Sequence, residues 1–284
     1  MREADWLKSR RSVEDGSSER HGKKEMTTFV LVPGAGGMAW YWHRVSPLLE
    51  HVGHEAIAVD LPGDDESMGL NDYAEIVIRA IGERSNVVLV AQSLGGFTAP
   101  LVCAQASVRM LIFVNAMIPR PDETAGTWWE NTGAVEARIA AAEAGGYSPE
   151  FNLLTYFLHD IPDAVLRDGP SVQRPQAEAV FGQPCSFRHW PSIPIRVVAS
   201  ANDRFFPFEF QRRVARDRLK MDLETLPGGH LVALSNPQGL ADPLLRLNRD
   251  AQKRDNDSAG GADSLVTNTV RTGRKPRWSA PRSS

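Results

Sequence analysis

The sequence predicts an α/β fold: a three-layer sandwich in which a mostly parallel sheet is covered by helices on both faces and carries a helical insertion. Three observations predict it. Short, unbroken apolar runs recur along the chain, as strands buried on both faces require. Helix-like segments alternate with them, which calls for right-handed crossovers. The alternation stops between about residues 118 and 190 and then resumes.

In chain order, the predicted strands are 27–33 (TTFVLVP), 54–60 (HEAIAVD), 86–92 (NVVLVAQ), 109–117 (RMLIFVNAM), 195–201 (IRVVASA) and 221–226 (MDLETL). The predicted helices are 41–52, 70–84, 94–106, 207–219 and 237–249. Within 70–84, Tyr73, Ile76, Ile78 and Ile81 form an approximate apolar stripe. The segment 118–190 holds helix-like AVEARIAAAEA, Pro and Gly punctuation and many aromatics, among them Trp128, Trp129, Phe151, Tyr156, Phe157, Phe181, Phe187 and Trp190. An insertion there sits over the carboxyl edge of the sheet, where α/β sites lie, and reads as a cap. The expected organisation is therefore a core of 26–117 and 191–250, a cap of 118–190, and disordered ends at 1–25 and 251–284, both polar and unpatterned. Met26 opens directly into the first strand, so a chain starting there is expected to keep fold and activity.

Composition narrows the function. The chain has 284 residues, 42% hydrophobic and 24% charged, as expected of a soluble globular protein. No apolar run reaches the roughly 18 residues of a membrane span. The N-terminus is charged throughout, unlike a secretory signal. Two cysteines, Cys103 and Cys185, make no disulfide framework, and a cytoplasmic setting is expected. Residues 26–250 hold 18 basic and 26 acidic side chains, a net −8 that argues against nucleic-acid binding. The tail RTGRKPRWSAPRSS is basic and reads as a solvated end. No histidine or cysteine spacing suits a metal, and no cofactor is expected.

Three residues carry the chemistry. Ser93, in AQSLGG, follows a strand and opens a helix, as a G-x-S-x-G nucleophile elbow does. Such a turn needs small residues around the serine. Gly95 and Gly96 meet that need, and Ala91 stands where the motif has glycine. Asp203 ends the strand IRVVASAND, in the place of a carboxylate that orients a histidine. His230 lies on the glycine loop LPGGH, in reach of strand ends as a general base. Each has an ordinary alternative: a packing turn, a turn aspartate, a surface-loop histidine. Together they supply the right residue types at three strand ends in the order Ser, Asp, His. Asn115 is a rival to Asp203 by position but cannot ionise. Acyl transfer also needs backbone donors for the oxyanion. Leu94 N–H and Ala35 N–H are expected to supply them, the latter from the turn PGAGG with Gly36 as its neighbour.

These motifs resemble the α/β-hydrolase superfamily over about residues 26–249. The resemblance rests on PGAGG with Trp40 and Trp42, VDLPG, AQSLGG, ASANDRFFP and PGGHLVALSNP. The chain resembles a group of small bacterial serine hydrolases and, through GGHLVALSNP, is distantly similar to the plant methylesterase and hydroxynitrile-lyase branch. The superfamily's oxyanion turn commonly begins His-Gly; here it is Pro33-Gly34. The lyases use a lysine just after the histidine turn, where this chain has Leu231 and Val232. The resemblance implies an esterase-like serine hydrolase acting on a small molecule with an apolar or aromatic portion. The expected pocket residues are Gly36, Trp128, Trp129, Phe157 and His159.

Three other readings compete. Gly34, Gly36 and Ala39 spell G-x-G-x-x-A, with Asp60 ending the next strand, which approaches a dinucleotide fingerprint. Against it, Met38, Trp40, Tyr41 and Trp42 crowd the place of a pyrophosphate. A non-catalytic receptor and a cofactor-free lyase or oxygenase on the same three residues complete the set.

Overall fold

A computed structural model describes residues 25–170 and 174–269, with side chains as far as residue 257 apart from 256. Six strands form one parallel sheet in the order β2-β1-β3-β4-β5-β6. They are β1 (Thr28–Val32), β2 (Glu55–Ala58), β3 (Val87–Gln92), β4 (Met110–Val114), β5 (Ile195–Ser200) and β6 (Glu224–Leu226). Every residue of β1, β3 and β4 is buried, which is why their sequences run apolar without alternation. Successive side chains still part company. Val30, Val32, Leu89, Ala91 and Phe113 face one core; Phe29, Leu31, Val88, Val90 and Ile112 face the other.

The first core is closed by α2 (Leu70–Ile81), α3 (Gly95–Cys103) and α9 (Phe208–Leu219), the second by α1 (Ser46–His51), α10 (Val232–Ser235) and α11 (Pro237–Thr269). On α2 the buried stripe is Leu70, Tyr73, Ala74, Val77 and Ile81, so the expected stripe is shifted: Ile76 and Ile78 lie at its margins. The expected helix 41–52 is two pieces, a 3-10 turn at Ala39–Trp42 and then α1. Pro47, in the first turn of α1, has no N–H to continue an upstream helix.

Between β4 and β5 the chain forms α4 (Ala125–Thr132), α5 (Ala134–Gly145), α6 (Leu153–Tyr156), α7 (Asp163–Arg167) and α8 (Ala179–Gly182). Glu123 anchors this insert, binding the guanidinium of Arg218 on α9 at 2.9 Å with both side chains buried. One expectation changes at the C-terminus. The last helix does not stop near 249 but runs to Thr269. Ala251 is buried, Gln252 Nε2 donates to Thr27 Oγ1, and Asp255 pairs with Arg109. Residues 1–24 and 270–284, expected to be disordered, lie outside the described residues. No described helix is long and apolar enough to cross a membrane.

Candidate active site

The chain starts β1, turns left to β2 and then right to β3, so the sheet's switch point lies between β1 and β3. A crevice outside the carboxyl ends is expected at such a point. The turn 33–37 leaves β1 there, and Ser93 leaves β3.

Ser93 has φ +49°, in the left-handed region that a non-glycine residue adopts only when its surroundings hold it. The surroundings are tight. A Cβ on Gly95 would come within 2.5 Å of Pro33 O, and one on Gly96 within 2.0 Å of Met117 O. Ser93 N–H donates to Val114 O, and Ser93 O accepts from Met117 N–H. The elbow is thus pinned between the ends of β1 and β4.

The three candidate residues meet. His230 Nε2 lies 3.0 Å from Ser93 Oγ, and its Nδ1 lies 2.9 Å from Asp203 Oδ2. All three are buried. Asp203 Oδ1 accepts the N–H groups of Phe205 and Phe206 at 2.8 and 2.9 Å, and Oδ2 also accepts from Gln211 Nε2 at 3.2 Å. That satisfies the carboxylate and aims one oxygen at the imidazole. Phe157, Phe205 and Phe206 stand around the ring at 4.9, 5.0 and 5.1 Å, each steeply inclined to it. They shield the imidazole from water.

Asn115, the rival position for the acid, has another task. Its Nδ2 donates to Gly229 O and His230 O at 3.1 Å, and its Oδ1 accepts Ser200 N–H at 2.7 Å. It ties the histidine loop to β5. Asn115 and Gln211 gave no motif. The only sequence signal for Asn115 was an uncharged polar residue ending a wholly apolar strand.

At the β1 turn, Gly34 has no room for a side chain: a Cβ would lie 2.7 Å from Ser93 Cβ. Gly36 N–H donates to Gln176 Oε1 at 3.0 Å and Gly37 N–H to Gly34 O at 3.1 Å. Among the described residues, Ala35 N–H and Leu94 N–H have no acceptor. The dinucleotide reading fails here on geometry. Only the four-residue 3-10 turn follows, and Asp60 is committed to Ala39 N–H at 2.9 Å and to Arg174 at 2.9 Å.

The expected pocket residues divide. Phe157 touches the imidazole. Trp129 is half-buried against Phe205 and Phe206. Trp128 is fully buried, its indole N–H on Ile118 O, and so is packing beneath the site rather than pocket wall. Gly36 lies under the insert, its α-carbon facing Arg174 O. His159 lines a groove of about 670 Å³ on the far side of Asp203, with Tyr147, Asp160, Asn202, Arg204 and Asn236; neither Ser93 nor His230 lines that groove. Burial lowers the pKa of His159; Arg204 also lowers it, while Asp160, Asp203 and Asn202 O act the other way. Its neighbour Asp160 accepts Gly229 N–H at 2.5 Å, a direct contact from the insert to the histidine loop.

A parallel sheet with a strained serine at its switch point and a buried Ser–His–Asp line defines the class, an α/β-fold hydrolase. The chain belongs to the alpha/beta hydrolase family, whose model matches residues 29–242. It is 26% identical over 254 residues to methylesterase 9 of Arabidopsis thaliana, covering 78% of this chain and 98% of that protein. To polyneuridine aldehyde esterase of Rauvolfia serpentina it is 26% identical over 260 residues, covering 79% and 96%. A crystal structure of polyneuridine aldehyde esterase superposes with a TM-score of 0.65 at 23% identity, covering 78% of this chain and 99% of that one. A pyrethroid hydrolase from Sphingobium faniae JZ-2 superposes with 0.64 at 21%, covering 79% and 98%. These relatives and structures are esterases and hydrolases, similar to this chain over most of its length.

Proposed function

We propose that this protein is a serine esterase that cleaves a small ester, or a related carbonyl compound, through an acyl-enzyme on Ser93. The observation that carries the reading is the buried hydrogen-bonded line from Ser93 Oγ through His230 to Asp203. In the neutral imidazole, Nδ1–H donates to Asp203, so Nε2 holds the lone pair that takes the Ser93 proton. Ser93 attacks the carbonyl carbon. Ala35 N–H and Leu94 N–H receive the oxyanion, and His230 returns the proton to the leaving alcohol. Water, deprotonated by His230, then releases the acid. The insert at 118–190 acts as a cap, and Phe157, Phe205 and Trp129 favour a substrate with an apolar or aromatic portion. The names of the methylesterase relatives bring methyl esters forward as the first class to try.

An alpha-hydroxynitrile lyase of Arabidopsis thaliana is also similar, at 25% identity over 253 residues. Leu231 and Val232 provide no amine after the histidine turn, so the hydrolytic reading stands ahead of cyanohydrin cleavage. The test is a panel of chromogenic acyl esters and aryl methyl esters, with fluorophosphonate labelling, on wild type and Ser93→Ala. Hydrolysis and labelling are expected in wild type and absent in the variant. Labelling that survives Ser93→Ala would remove Ser93 from the role.

A further inference from the structure

The segment 174–178 of the insert lies across the turn that follows β1. Arg174 pairs with Asp60 and caps Leu61 O. Ala177 N–H donates to Gly63 O at 2.6 Å. Between these two anchors Gln176 reaches the turn itself. Its Oε1 accepts Gly36 N–H at 3.0 Å, and its Nε2 donates to Tyr73 Oη at 3.2 Å. Tyr73 Oη in turn donates to Pro62 O at 3.2 Å. The run Gly36–Gln176–Tyr73–Pro62 is a closed relay in which every donor has an acceptor. It joins the turn to α2, the helix whose buried face holds it to the core.

The turn needs such a hold. It contains Gly34, Gly36 and Gly37, and the last two have φ +81° and +68°. Glycine at three of the four positions 34–37 leaves the turn little steric resistance to rotation about its backbone bonds. Ala35 N–H belongs to the Gly34–Ala35 unit, whose carbonyl accepts Gly37 N–H, and the next unit, Ala35–Gly36, carries the N–H that Gln176 holds. Packing bears on Gly36 from two directions: a Cβ on Gly63 would come within 2.4 Å of Gly36 O, and one on Gly36 within 2.6 Å of Arg174 O. The polar hold on the Ala35–Gly36 unit is the amide of Gln176.

We infer that Gln176 is a positioning residue for the oxyanion donor: it occupies Gly36 N–H and fixes the Ala35–Gly36 peptide plane, while the Gly37 N–H bond to Gly34 O fixes the Gly34–Ala35 plane that carries the donor, so that the two together set the Ala35 backbone angles and hold Ala35 N–H toward the Ser93 carbonyl adduct. The inference rests on the esterase reading above. It assigns a catalytic consequence to the docking of the insert, because the oxyanion turn is complete only when segment 174–178 is seated on it. It also explains why Ala35 and not Gly36 is the donor.

The experiment compares wild type, Gln176→Met, Tyr73→Phe and Ser93→Ala on p-nitrophenyl acetate, with inhibition by a phenyl trifluoromethyl ketone, which forms a tetrahedral alkoxide on a reactive serine. Gln176→Met keeps the side chain's length and removes the amide. It is expected to lower kcat about tenfold with KM within about twofold, a part of the loss seen when an oxyanion donor is deleted. Ketone affinity should fall by the same factor as kcat/KM. Tyr73→Phe, which loosens the relay one step further back, should lose about twofold to threefold in both. A merely structural role would change neither ketone affinity nor the ratio of kcat to KM in step. Wild-type kcat and ketone affinity in Gln176→Met would overturn the inference. So would a rise in KM alone, which would make Gln176 a substrate contact, or a faster variant, which would make it a block on the donor. If wild type neither hydrolyses the ester nor labels at Ser93, the esterase reading fails and takes this inference with it. If Ser93→Ala is inactive and Gln176→Met is not impaired, only the inference fails.

Discussion

Ala91 sits two residues before Ser93, where the nucleophile motif has glycine, and it is fully buried with Val32 and Phe113 as its register partners. What the elbow requires there is a small side chain, and a methyl group fits. Ala91→Gly is expected to leave ester hydrolysis within about twofold. Ala91→Val adds two methyl groups to a close-packed position, which costs about 1–3 kcal/mol, and it presses on the strained Ser93 backbone. Activity should fall before folding does, so kcat and the urea midpoint measured on one sample will separate the two effects. Full activity in Ala91→Val would refute the steric account. Asp203→Asn keeps the volume but offers Nδ1 an amide that need not accept its proton. Under the esterase reading kcat should drop about 10⁴-fold with little change in thermal midpoint. A loss under tenfold would mean that Asp203 is a turn residue and does not orient the histidine.

Among the contacts that hold the insert to the body is a buried ion pair, Glu123 with Arg218. Burial pushes the Glu123 carboxyl up, but the Arg218 guanidinium, Arg120 N–H and the Asn131 amide together outweigh this and hold it below the usual range. A depressed folded-state pKa stabilises the protein above the ordinary glutamate value of about 4.3, and that stability is lost as pH falls through the lower, folded value. Glu123→Gln leaves Arg218 buried without its counter-charge, at a cost of roughly 3 kcal/mol near neutral pH. The variant should also show a flatter fall of stability as pH drops below the ordinary glutamate value. Urea titrations at several pH values test both; parallel curves would exclude Glu123 from the acid response. The last helix gives a second check. Ala251, Gln252 and Asp255 all bind the body, so a chain ending at 249 should melt below one ending at 257. Equal midpoints would mean that these contacts add nothing.

For the molecule as a whole, the sequence alone determined the class of fold, the strand order of appearance and the three residues of the proposed triad. The reason is that each leaves a local mark. Strands buried on both faces must be written as apolar runs, an elbow must be flanked by small residues, and a turn at a strand end must be polar or glycine-rich. Ser93, Asp203 and His230 were legible because all three stand on such turns. The stripe of α2, the break before α1 and the length of α11 were less so, since they depend on which neighbour covers a face and not on period alone. Of the supporting shell only Asn115 left a mark, as a polar residue closing an apolar strand, and its task was not legible from it. Asn115 and Gln176 lie 85 and 140 residues from partners they hold. Trp128 and His159 read as pocket residues because composition does not say which way an aromatic in an insert will face. Only folding decided those places, because a hydrogen bond between distant segments is specified by the packing that brings them together and by neither segment's own sequence.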